Sequence, residues 1–76
     1  MNETTLASDV TGSVCKVLVA PGDQVVADQV LLVVESMKME MEVLAPAAGE
    51  VASVLVQEGD MVEEDQALLV LRATAG

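Results

Sequence analysis

Shifted by 37 residues, this chain lies on itself. Gly12 to Ser36 aligns with Gly49 to Ala73 without a gap, with 13 identities in 25 positions. The matches include Gly12/Gly49, Val14/Val51, Gly22/Gly59, Asp23/Asp60, Asp28/Asp65, Gln29/Gln66 and Leu32/Leu69. Two copies are too few for a solenoid, which needs about three repeats to build a continuous core. They suit a closed body with pseudo-two-fold symmetry. At 76 residues the chain suffices for one small domain spanning 1–76, with repeat halves at about 5–36 and 42–73.

Each copy reads as strands. Short β-branched runs bounded by glycine and turn residues predict strands at Glu3–Ala7, Gly12–Val19, Gln24–Val25 and Val30–Ser36. The second set is predicted at Met39–Leu44, Gly49–Val56, Met61–Val62 and Ala67–Arg72. Gly22-Asp23 and Gly59-Asp60 interrupt equivalent runs, where glycine can take a positive φ without steric cost and aspartate can bond nearby backbone. Eight short strands in two related sets predict an all-β fold, a flattened barrel or sandwich of two four-stranded antiparallel sheets, which limits exposed edges.

Composition narrows the function classes. Thirteen acids against three Lys and Arg leave a net charge of −10, weighted toward the second half. Nucleic acid and anionic membrane are therefore poor partners, since both need cationic surface, and partners with basic docking surfaces are favoured. Phe, Tyr and Trp are absent, so no stacking platform for bases exists. No apolar run reaches the length of a membrane span, and the start Met1-Asn2-Glu3-Thr4 lacks the features of a signal peptide, so a cytoplasmic location is expected. The single Cys15, between Val14 and Lys16, reads as a semi-buried structural residue in a reducing compartment. With no histidine, no serine–base constellation and no metal-ligand spacing, the chain offers little to an independent enzyme.

The join between the copies, Glu35-Ser36-Met37-Lys38-Met39-Glu40-Met41-Glu42, concentrates what chemistry there is. Three of the five methionines fall there around Lys38, and the only other lysine is Lys16. Only Met37-Lys38 separates two strand runs, the shortest common hairpin connection, so the amine is expected at a protruding tip. Exposed amines are almost wholly protonated at neutral pH, so an external enzyme must supply activation and base. The domain would contribute accessibility and a rigid pivot, from which a long acylating group sweeps a defined volume. On composition and spacing alone, an ordinary hairpin with a solvated lysine and packing methionines accounts for the same residues equally well.

At these residues the sequence resembles the biotinyl/lipoyl attachment family, and most of all its biotin carboxyl carrier domains. The resemblance rests on Glu35-x-Met37-Lys38-Met39, set midway between Gly22-Asp23-x-Val25 and Gly59-Asp60-x-Val62, together with Gly12-x-Val14 and Ala45-Pro46-x-x-Gly49-x-Val51. It implies covalent biotin on Lys38, with Met37, Met39, Glu35 and Ser36 as the recognition flank. The implied partners are a biotin protein ligase, a biotin carboxylase and a carboxyltransferase, with an acyl-CoA the expected acceptor. The implied role is that of a non-catalytic carrier subunit or domain, monomeric in isolation. The lipoyl branch favours Asp before the lysine and Ala or Val after it, where this chain has Met37 and Met39; a lipoyl carrier, or dual modification, is the alternative, and an unmodified interaction module a third class. Three departures stand out. Ser36 replaces the commoner alanine, Asp9 stands where many members have proline, and the gapless repeat leaves no room for the protruding thumb of some carriers.

Overall fold

A computed structural model describes residues 3–73. Its strands are β1 (Glu3–Ala7), β2 (Gly12–Val17), β3 (Gln24–Val25), β4 (Val30–Ser36), β5 (Met39–Leu44), β6 (Gly49–Val54), β7 (Met61–Val62) and β8 (Ala67–Ala73). They form two four-stranded sheets, β1-β8-β6-β3 and β5-β4-β2-β7, antiparallel throughout. The 37-residue shift converts one sheet order into the other. Each sheet draws two strands from each copy, so neither copy has a sheet of its own and the halves interlock. β1, preceding Asp9, docks on β8 over five register pairs.

The sheets bury a core made largely of repeat pairs: Val14/Val51, Val25/Val62, Leu31/Leu68 and Leu32/Leu69 are all within 3% of full burial. Burying each leucine is worth roughly 1.5–3 kcal/mol relative to exposure. Consecutive buried leucines break the alternation of a strand, and β-bulges explain how. Leu31 is the extra residue where Val30 and Leu32 pair with Leu44 and Val43, and Leu68 is its counterpart opposite Leu6 and Ala7. A second bulge pair lies at Cys15 and Ala52. It brings Val14 and Val17, three positions apart, to the inner side, while Lys16 stays exposed. The Cys15 thiol is half-buried and donates to the Val33 carbonyl at 3.4 Å.

The turns repeat as faithfully as the core. Gly22 and Gly59 both have φ +95°, as the repeated Gly-Asp pair leads one to expect. Asp23 Oδ2 accepts from Ala20 N at 2.9 Å, and Asp60 Oδ2 from Gln57 N at 2.8 Å. Gln29 and Gln66 serve Val26 N and Glu63 N in the same way. Asp28 and Asp65 sit in the left-handed region at φ 69° and 70°, where Asp is tolerated better than most residues. Two strand ends differ from the sequence expectation. β2 and β6 end at Val17 and Val54 rather than two residues later. Leu18 N and Leu55 N still donate to Leu31 and Leu68 carbonyls, but the chain then turns into the aspartate-braced loops. β8 runs one residue further, to Ala73, which pairs with Gly49.

Candidate functional site

β4 and β5 form a hairpin whose last register pair is Ser36 and Met39. Met37 and Lys38 alone complete it, with φ 52° and 66°. Positive φ at both central residues is the mark of a type I′ turn, whose twist matches the flanking strands. Such turns favour Asn-Gly. A methionine and a lysine in left-handed conformations cost roughly 1–2 kcal/mol each. Six register pairs from Ser36–Met39 to Val30–Leu44 hold the turn in that form, and strain held in this way clusters at functional positions.

The tip is open to solvent. Met37 is 91% exposed, Met39 63%, and Lys38 is exposed as well. Among the described residues the ion pairs involve only Arg72, with Glu3 and Glu50, so the Lys38 amine is held by no carboxylate. Glu35 is exposed and pairs across the strands with Glu40; Glu42 follows two residues later opposite Val33. Ser36 is half-buried, and its Oγ donates to the Thr11 carbonyl at 2.8 Å. The five residues singled out in the sequence thus converge on one tip: Lys38 and Met37 in the turn, Met39, Ser36 and Glu35 at its base.

Two further neighbours shape the hairpin base: Thr11, which the sequence reading misses, and Gly12, which it takes as structural. Thr11 receives the Ser36 hydroxyl. Gly12 passes so close that a Cβ there would collide with the Glu35 carbonyl oxygen. Thr11 had a signal, since its counterpart across the repeat is Ala48. Lys16, the other lysine, lies within β2 on the outer side of its sheet. No helix among the described residues is long and apolar enough to cross a membrane. An amide bond to a carboxylic cofactor needs an accessible primary amine with room around it, and the Lys38 tip meets that need.

The profile of the family described as "Biotin-requiring enzyme" matches residues 1–71. Comparison with curated protein sequences finds no match. Among solved structures, the chain is similar to part of a single-chain, multi-domain long-chain acyl-CoA carboxylase, at 35% identity and TM-score 0.89 over 95% of this chain. It is similar to part of the Kluyveromyces lactis urea carboxylase, at 36% identity and TM-score 0.88 over 95% of this chain. It spans only 7% and 6% of those two chains. It is also similar to the lipoyl domain of the 2-oxoglutarate dehydrogenase complex from Azotobacter vinelandii, at 33% identity and TM-score 0.76, covering 87% of this chain and 84% of that one. With an all-strand fold of two interlocked sheets and a profile match over nearly its whole length, the chain belongs to the biotin-requiring enzyme family, whose fold the biotinyl and lipoyl attachment domains share.

Proposed function

We propose that residues 1–76 act as one biotin carboxyl carrier domain, biotinylated on Lys38. The observation that carries this reading is an exposed lysine, with no ion pair among the described residues, at the tip of a strained two-residue turn between Met37 and Met39. In the proposed reaction a biotin protein ligase activates the biotin carboxyl with ATP. The neutral Lys38 amine then attacks it, forming an amide and releasing the activating group and a proton. Bound biotin supplies a ring nitrogen that accepts a carboxyl group in one active site and yields it in another. The chain's own residues hold the pivot: the β4–β5 ladder fixes the direction of the arm, and Met37, Met39, Glu35 and Ser36 form the surface each enzyme meets. The partners are a biotin carboxylase and a carboxyltransferase of an acyl-CoA carboxylase, in the cytoplasm, and the isolated domain is monomeric. The carboxylase neighbours support the cofactor, and the net charge of −10 favours partners with basic docking faces.

The lipoyl neighbour supports a second reading, a lipoyl or dual carrier on the same lysine. Incubating the apo chain with biotin protein ligase, ATP and biotin, and in parallel with a lipoate ligase and lipoate, decides between them when the adducts are mapped by peptide mass. Biotin on Lys38 alone is the expected result, with a clear rate advantage over lipoate. Label on Lys16, or label that survives Lys38→Gln, overturns the assignment. Lipoate with no biotin replaces the first reading with the second.

A further inference from the structure

We propose that Ser36 is a positioning residue. Its hydroxyl, held by the Thr11 carbonyl, latches the base of the hairpin so that Lys38 is presented in one orientation. The inference deepens the assignment of Lys38 as the modified residue and rests on it.

The repeat supplies an internal control. Backbone bonds that tie the loops together come in pairs 37 residues apart. Gly22 N donates to Val51 O at 2.8 Å, and Gly59 N to Val14 O at 2.7 Å. Asp28 N donates to Ala45 O and Asp65 N to Ser8 O, both at 2.8 Å. The turn bonds of Asp23, Asp60, Gln29 and Gln66 pair off likewise. The bonds at the hairpin base do not. Ser36 Oγ donates to Thr11 O at 2.8 Å, and Thr11 Oγ1 accepts from Glu64 N at 3.3 Å. The equivalent residues are Ala73 for Ser36 and Ala48 for Thr11, which have no side-chain donor or acceptor. The backbone approach is common to both halves: Gly12 passes the Glu35 carbonyl as Gly49 passes that of Arg72. The scaffold brings loop and strand together twice, and among the described residues hydroxyls clamp them only where the lysine hairpin emerges.

The location gives the clamp its leverage. Ser36 is the last residue before the turn. Its partner strand β5 lies at the edge of its sheet and, among the described strands, pairs only with β4. A hairpin tip at a sheet edge, closed by two left-handed residues, belongs to the part of a fold that opens most easily. The two Thr11 bonds tie that tip to the 8–11 loop and, through Glu64, to the turn between β7 and β8. An enzyme that binds only the closed tip sees its affinity reduced by the fraction of time the tip is closed. Because the chain is the ligase's substrate, loss of the latch should raise KM and leave kcat unchanged; loss of folded protein would move KM the same way, and exchange at the core residue Leu69 tells the two apart.

The test compares wild type with Ser36→Ala, Ser36→Thr and Thr11→Val. Amide exchange at Met39 and Met41 should accelerate about two- to tenfold in Ser36→Ala, the range for losing one exposed hydrogen bond. Exchange at Leu69 should not change. The KM of biotin protein ligase for the apo chain should rise at constant kcat by no more than that factor, because KM follows the closed fraction and exchange the open one. Ser36→Thr, which keeps the donor, should restore both. Thr11→Val keeps the carbonyl but loses the tie to Glu64, and should fall between. Wild-type exchange and wild-type KM in Ser36→Ala overturn the latch. So does equal acceleration at Leu69, or failure of threonine to rescue. If the wild-type chain takes no biotin, the Lys38 assignment falls instead, and the exchange data still decide whether the latch exists.

Discussion

Two rows of side chains, related by the repeat, run across the outer faces of the two sheets. One is Gln24, Glu50, Arg72 and Glu3, linked strand to strand by register. The other is Met61, Ser13, Glu35 and Glu40, linked the same way. In the first row Arg72 reaches Glu3 at 3.3 Å and Glu50 at 3.5 Å. In the second, Glu35 stands where the arginine would be and faces Glu40. The interiors show the opposite behaviour: Val14/Val51, Leu31/Leu68 and Leu32/Leu69 are identical pairs in near-identical burial. Shape is shared by the two halves, and charge is not. The face that holds an arginine between two carboxylates belongs to the sheet containing β1 and β8. The face left acidic belongs to the sheet that carries Lys38.

If shape is truly shared, equivalent core truncations should cost the same. Leu32 and Leu69 are both fully buried. Leu32→Ala and Leu69→Ala should each destabilise by about 2–5 kcal/mol, with the two values close to each other, as read from urea unfolding. Costs differing by more than about half of that range would show that the halves pack differently despite their sequences.

The close approaches of Gly12 and Gly49 sharpen the comparison at the next level. A Cβ on Gly49 would lie 2.6 Å from the Arg72 carbonyl oxygen, and one on Gly12 would lie closer still to that of Glu35. Backbone atoms cannot rotate aside, so relief requires the strands to part. Gly12→Ala and Gly49→Ala should cost about 1–3 kcal/mol each, the range for overpacking, with Gly12 the worse. Thermal unfolding reads both. A neutral Gly12→Ala would mean that the loop can withdraw from the hairpin base, which would also weaken the case for a latch there.

The duplicated frame makes much of this legible in the sequence alone. Glycine pairs, strand runs and the two-residue gap at Met37-Lys38 all follow from local chemistry and spacing. The bulges at Cys15, Leu31, Ala52 and Leu68 do not, because a bulge is a property of two strands in register and each strand alone reads as a plain apolar run. The left-handed Asp28 and Asp65 were hidden beside the more obvious glycines. Ser36 was visible as a departure from alanine, but its partner Thr11 lies 25 residues away. The useful signal there is a break in the repeat: Ser36 and Thr11 carry hydroxyls where their counterparts Ala73 and Ala48 have none.

The charge rows give the smallest effect and the most direct test of the comparison. Glu35→Arg would place a cation opposite Glu40, re-creating the arrangement of Arg72 with Glu3. Opposite charges directly across a sheet contribute roughly 0.2–1 kcal/mol, and like charges oppose folding. Both positions are solvent-exposed, so the lower part of that range applies. The variant should therefore be slightly more stable than wild type, and the gain should shrink as salt is raised, because exposed charges are screened. Arg72→Glu should do the reverse, losing two partners and gaining two like-charged neighbours. Biotinylation should respond in the other direction. Glu35 sits three residues before Lys38, on the flank that a ligase must meet, so Glu35→Arg should raise the ligase KM, and Arg72→Glu should leave it unchanged. A Glu35→Arg protein that is more stable and equally well biotinylated would show that the acidic row is simply unpaired charge. A more stable protein that is a poorer substrate would show that the hairpin sheet keeps its acids for a partner at some cost to its own stability.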